Sequence, residues 1–342
     1  MPIFDLTLRG PLHQGEFVGI NREAVQEWIP SDTLFAAVVT AWARRAVNIA
    51  DRLAGFERGE APFELTSAFP RAGEVRFYPA PARLPAHSGL YGAGQSPKTA
   101  REIRWLSQGV LDALRNGQTP AAGDDNFLHG RGVWLTEAER VGIEPYLAET
   151  PEGGPRLWKS QVVPHATLDR ASTASNLFHT GRVSFGEGCG LWFAVRGPAE
   201  WVREALGDLA DSGLGGLRST GHGAFTFAES ATDLPAIADG WGLSLSRYAP
   251  ISVDEIAASL QAPSSAYRLV TVGGWCVDDE GHAWRRRSVR LLAEGALLPA
   301  SIRGGLVDVR PLKPEAWRGP LRPVYRNGMA FLVPAGRLVE AA

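Results

Sequence analysis

Gly213-Leu214-Gly215-Gly216-Leu217-Arg218-Ser219-Thr220-Gly221-His222-Gly223-Ala224-Phe225 holds five glycines in eleven residues, between a helix pattern and a strand pattern. Glycines this dense let a backbone take positive φ and bring bare N–H groups against a ligand. Successive exposed N–H groups form an anion-binding concavity, with phosphate as the usual guest. Arg218, Ser219 and Thr220 add donors suited to phosphate oxygens. The simpler reading is a flexible helix-to-strand connector with Gly213 as its C′ cap.

The run is not a nucleotide-triphosphate loop. A P-loop reads G-x-x-x-x-G-K-[ST] after a strand. Gly216 and Gly221 have that separation, but His222 and Gly223 stand where Lys and Ser or Thr are required. The element order is also reversed. A dinucleotide fingerprint fails because Thr226 occupies the third glycine's place.

Working outward, Pro198 suits the first turn of a helix whose Val202, Ala205, Leu206 and Leu209 share one face. Before it, Gly190-Leu191-Trp192-Phe193-Ala194-Val195-Arg196 is a strongly apolar strand, and Ala224 to Phe227 is another. Near the start, Ile3 to Leu8 alternates as a strand. Ser31-Asp32-Thr33 opens a helix with Ser31 as N-cap and Leu34, Phe35, Val38 and Trp42 as its apolar stripe. Phe63–Phe69 and Glu74–Pro79 read as strands around a turn at Pro70–Gly73. Strand, helix, two strands, helix, strand is the split β-α-β-β-α-β order.

The expected fold is therefore α+β, with two ferredoxin-like (RRM-like) domains. The first covers 1–235, with an insertion at about 80–155 and a hairpin excursion at about 158–185. The second, smaller and β-rich, covers 236–342, with strands over Tyr267–Trp275, Trp284–Leu291, Gly305–Val309 and Tyr325–Val333.

Composition bounds the function. The chain has 342 residues, 44% hydrophobic and 21% charged, which suits a globular protein with a sizeable core. Cys189 and Cys276 offer neither a disulfide framework nor zinc-ligand spacing, and a reducing cytoplasm fits them. No signal-peptide pattern opens the chain, and no apolar run reaches a membrane span of about 18 residues. The net charge of −2 argues against indiscriminate coating of nucleic acid. Of 35 basic residues only Lys98, Lys159 and Lys313 are lysine. Arginine suits bidentate phosphate recognition, although codon bias in a GC-rich genome also produces this excess.

With these elements in order, the chain resembles the RAMP superfamily of CRISPR-associated RNA-binding proteins. Within it, the likeness is to the Cas5-like subunit four of type III-A Csm effectors. The resemblance rests on Gly10-Pro11-Leu12-His13-Gln14-Gly15 after the first strand, Ile29-Pro30-Ser31-Asp32-Thr33-Leu34-Phe35, and Ser67-Ala68-Phe69-Pro70. It rests also on Val163-Pro164-His165-Ala166-Thr167-Leu168-Asp169-Arg170, on the glycine loop, on Gly273-Gly274-Trp275, and on Pro323-Val324-Tyr325-Arg326-Asn327-Gly328. Together these cover most of the chain.

The resemblance implies a non-catalytic, cytoplasmic subunit in antiviral defence. It would hold the 5′ handle of the CRISPR RNA (crRNA) and cap the complex beside the large polymerase/cyclase-type subunit and the backbone RAMP subunit. Guide pairing reads the target, while protein holds RNA shape and backbone. The hairpin at 158–185 becomes a β-hairpin thumb that displaces a base. RNA-binding candidates are His13, Gly15, Ser31, Asp32, His165, Thr167, Asp169, Arg170, Gly215, Gly216, Arg218, Ser219, Thr220, Gly221, His222, Gly223, Arg285 and Arg287.

Each candidate has a plainer reading. Ser31 and Asp32 are a helix cap, or else a helix N-terminus that holds a phosphate. Asp169 and Arg170 are an exposed ion pair, or thumb contacts. Arg285, Arg286, Arg287 and Arg290 are a solvated face, or an extension of a basic groove with Arg285 and Arg287 on one side of a strand. His13 and His222 are phosphate donors, or an acid–base pair acting on a ribose 2′-OH. That last option defines one alternative, a metal-independent, repeat-processing endoribonuclease of the same superfamily. The other is an assembly protein with no RNA contact. No cofactor or metal site is expected: Asp124-Asp125 and Asp278-Asp279 read as turn acids.

Overall fold

A computed structural model describes residues 1–17, 23–45, 48–91, 97–148, 154–168, 175–231, 234–312, 316–317 and 319–339. The chain opens with β1 (Pro2–Leu8), α1 (Ser31–Arg44), β2 (Phe69–Ala72) and β3 (Val75–Pro79). A long hairpin follows, β4 (Trp158–Leu168) and β5 (Ser175–Phe185), then β6 (Cys189–Arg196), α2 (Glu200–Ser212) and β7 (Phe225–Ala231). The α+β class holds.

One large sheet carries the strand order β7-β1-β6-β2-β3. β1 pairs antiparallel with β6 (Ile3↔Ala194) on one side and with β7 (Leu8↔Phe225) on the other. β6 is central because its apolar run is buried along nearly its whole length. Phe193 stacks on Phe4 at 5.2 Å, while Trp192 packs against Phe69 and Tyr78. The apolar stripes expected on α1 and α2 are buried as read. The two helices meet where Trp42 donates its indole N–H to the Trp201 carbonyl at 3.1 Å.

Three expectations shift. Pro70 lies in β2, opposite Leu191, and the turn is the two-residue Gly73-Glu74, with Gly73 at φ +53. The strand expected over Phe63–Phe69 is broken, because Thr66 Oγ1 accepts the Ala194 N–H and takes over one ladder bond. Residues of the expected insertion extend the sheet instead: Trp105–Ser107 pairs with β3, and Val133–Trp134 and Phe127–Leu128 follow. Strands of two or three residues leave no periodicity to read.

The hairpin expected at 158–185 is present, in register from Trp158↔Phe185 to Leu168↔Ser175. In the second part, β8 (Leu269–Val272) pairs with β9 (Val289–Leu292), and Trp275–Val277 pairs with Ala283–Arg285. Leu306–Asp308 pairs with Tyr325–Asn327, and Trp241–Ser244 sits between Leu297–Pro299 and Leu332–Pro334. Among the described residues these strands form separate small groups rather than the single sheet of a second ferredoxin-like unit. The apolar core is continuous across residue 235: Ile3 and Phe4 belong to the same buried cluster as Leu243, Leu245, Phe331 and Val333.

Candidate nucleic-acid interface

The glycine loop is folded on itself and onto the segment after β1. The N–H groups of Gly213, Leu214, Gly216 and Gly223 donate to Leu209, Gly223, His13 and Pro11 carbonyls, at 2.7–2.9 Å. A Cβ at Gly223 (φ +73) would overlap the Leu214 carbonyl oxygen. Gly213 ends α2 as expected, its N–H donating to the Leu209 carbonyl at 2.7 Å, with an extended rather than helical left-handed backbone (φ +79, ψ 160). These donors are spent on the fold, so they do not form the bare cradle that the sequence suggests. What the loop presents is its tip: Arg218–Thr220 make one exposed 3₁₀ turn, with Gly221 beside it in open space.

Three candidate histidines converge here. His13 Nδ1 lies 2.6 Å from the Gly181 carbonyl of β5, and its own carbonyl accepts from Gly216. His222 Nδ1 meets Thr220 Oγ1 at 3.0 Å. The His222 imidazole is held below its usual pKa, first by partial burial and then by the charges of His13, Arg182 and His165. The Leu12↔Val183 bridge ties the segment after β1 to the hairpin base. Arg182, on β5, is a cation that the sequence reading missed; the strand pattern there carried no functional signal. Of the thumb candidates, Asp169 and Arg170 lie outside the described residues, as does the Thr167 side chain.

Ser31 and Asp32 are corrected outright. Both are fully buried. Ser31 is the first residue of α1 rather than its cap; its hydroxyl accepts the Arg247 N–H at 2.9 Å, and its own N–H donates to Ser67 Oγ at 2.8 Å. Asp32 pairs with Arg247 and Arg326, each at 3.1 Å. A phosphate has no access to this helix start, because the second part of the chain covers it.

Beside that buried pair lies a cleft of about 420 Å³. Gln14, Gly15 and Gly273 to Trp275 line it, together with Arg285, Arg286 and Arg326. The expected Gly15 and Arg285 thus share a site. Arg287 does not join them. The strand breaks at Arg286, whose N–H goes to the Gly274 carbonyl, and Arg287 holds the carbonyls of Asp308 and Arg310 at 2.7 and 3.0 Å. Arg286 entered the sequence reading only as part of a possible basic groove, and Arg326 and Trp275 only through the motifs that contain them. Among the described residues no group of His, Cys, Asp and Glu is placed to hold a metal.

Arginine and imidazole groups have the chemistry for phosphate contacts, and an exposed tryptophan offers a stacking plane. No helix among the described residues is long and apolar enough to cross a membrane.

Comparisons with known proteins point to one family. Residues 238–335 match the family model of the CRISPR Csm4 C-terminal domain. The chain is 25% identical over 283 residues to the "CRISPR system Cms protein Csm4" of Thermococcus onnurineus (strain NA1), covering 78% of this chain and 81% of that one. It is 23% identical over 278 residues to the Streptococcus thermophilus protein of the same name, covering 79% and 81%. In fold it resembles a chain of a solved Csm3–Csm4 subcomplex of a type III-A interference complex. The TM-score is 0.65 at 15% identity, covering 98% of this chain and 99% of that one. A Csm1–Csm4 cassette solved with pppApA gives a TM-score of 0.56 at 18% identity, covering 100% and 98%. The resemblance to the Csm complex's subunit four thus extends through both parts of the chain.

Proposed function

We propose that this Csm4-like chain is the crRNA-binding end subunit of a type III-A Csm complex. It holds the 5′ handle of the guide RNA, caps the assembly, and works in the cytoplasm without cleaving RNA itself. One observation carries the reading: the glycine loop, His13, His222 and Arg182 at the hairpin base come together from distant parts of the chain. Phosphate contacts of this kind position RNA without reading its sequence. In the first part, the order β7-β1-β6-β2 with α1 and α2 supports a ferredoxin-like unit carrying the β4–β5 thumb. The proposed partners are a backbone RAMP subunit and a large polymerase/cyclase-type subunit, a reading supported by the likeness to chains solved in Csm3–Csm4 and Csm1–Csm4 assemblies.

Handle-RNA binding by the full chain, titrated against salt, tests the reading. Affinity is expected to fall with a log–log slope of about −0.7 per phosphate contacted. An affinity flat with salt and unchanged by Arg218→Ala would leave an assembly-only role.

The nearness of His222 to His13 supports a second reading, repeat cleavage by an acid–base pair. Incubation of repeat RNA with the protein in EDTA decides it. Site-specific scission lost in His13→Ala or His222→Ala would establish the nuclease.

A further inference from the structure

We propose that the cleft between Gly15 and Trp275 is a single-nucleotide subsite, taking one unpaired base of the bound RNA on Trp275 and its phosphate on Arg286. The inference rests on the RNA-binding reading and deepens it.

Charge comes first. Arg286 and Arg326 both reach the Gly273 carbonyl, at 3.1 and 3.4 Å, so two guanidinium groups converge on one oxygen. Arg326 has Asp32 as counter-ion. Among the described residues no carboxylate lies within ion-pair distance of Arg286, and its buried Nε has no hydrogen-bond partner. Burial and the charge of Arg326 depress the Arg286 guanidinium to about 10. A cation held at such a cost is relieved by an arriving anion.

Shape and chemistry agree. Gly274, at φ +124, leaves room that a Cβ would take from the Arg286 guanidinium. Trp275 is 61% exposed, with the Arg285 guanidinium 5.6 Å from its ring centroid. An exposed indole beside cations is the surface on which an unstacked base rests. A cleft of about 420 Å³ lies toward the small end of ligand pockets, which run from roughly 300 to 1,000 Å³, and suits one nucleotide.

Placement links it to the glycine loop. Gln14 and Gly15 directly follow His13, whose carbonyl holds Gly216 of the glycine loop. The cleft therefore begins one residue beyond the histidine on which the glycine loop rests.

The test places 2-aminopurine at each handle position in turn and follows its fluorescence on binding to the full chain. One position is expected to be quenched by stacking. Trp275→Ala should restore that signal and weaken RNA binding by roughly 5- to 100-fold, with Trp275→Phe recovering part of both. Arg218→Ala should weaken binding yet leave the quenched position quenched. Wild-type affinity in Trp275→Ala, with Arg218→Ala still weakened, would overturn the subsite alone. Failure of the wild-type chain to bind handle RNA at all would overturn the RNA-binding reading with it. Saturable binding of AMP lost in Trp275→Ala, with RNA affinity unchanged, would assign the cleft to a free nucleotide and overturn its place on the RNA path.

Discussion

The Asp32 carboxylate on α1 accepts a hydrogen bond from the Arg247 guanidinium at 3.1 Å, both side chains out of water. Arg326 shares the same carboxylate. Removing one partner of a buried pair leaves uncompensated charge, at a cost of about 3–5 kcal/mol. Asp32→Ala is therefore expected to lose stability of that order in urea denaturation. Ser31→Ala, which orphans the buried Arg247 N–H, should lose about 1–3 kcal/mol. Where Ser31→Ala remains folded, its RNA affinity should equal that of the wild type, because Ser31 has no surface to offer.

Gly221 and Gly223 should respond very differently to alanine. Both have positive φ, but a Cβ at Gly221 meets open space, whereas one at Gly223 overlaps the Leu214 carbonyl. Gly221→Ala should cost about 1–2 kcal/mol from the left-handed backbone alone. Gly223→Ala adds a backbone clash and should cost about 3 kcal/mol or more. Thermal unfolding of the two variants checks the order, and equal losses would contradict the close packing of the loop.

Arg182 and Arg218 should act as separate phosphate contacts. Each alanine variant is expected to weaken handle-RNA binding and to reduce the salt slope by about 0.7. Wild-type slopes in both variants would remove the glycine loop and hairpin base from the interface.

RNA binding should strengthen at low pH through His222. In the free protein its pKa lies below the usual 6.5, because burial and then the charge of His13 oppose protonation. A phosphate beside the ring raises that pKa in the complex. Binding then takes up a proton, and affinity rises as pH falls through the bound-state pKa, levelling off below the free-state one. A several-fold gain between pH about 8 and about 6 is expected, reduced in His222→Gln. A titration identical in the two proteins would mean that the ring does not meet phosphate.

The elements legible in the chain were those with a strong local period. β1, α1, β6, α2 and β7 follow from alternation or helical spacing, and their order suggested the sheet. Local period fails where strands are two or three residues long. Phe127–Leu128 and Val133–Trp134 extend the sheet without a pattern of their own. It fails again at Pro70, where a turn signal sits inside a strand.

Residue types suited to phosphate, and the glycine loop as their carrier, were determined by the sequence itself, because glycine, arginine and histidine chemistry is intrinsic to the side chain. Which of them face outward was decided by tertiary structure alone. Ser31 and Asp32 have the chemistry of an anion-binding helix start, yet Arg247 and Arg326 fold over them from the other part of the chain. Arg287 looked equivalent to Arg285 until a break in the strand tied it to the Asp308 and Arg310 carbonyls. Arg182 and Trp275 became candidates only when packing brought them beside His222 and Gly15. Exposure and convergence depend on contacts between residues far apart in the chain, and a local pattern holds no record of those contacts.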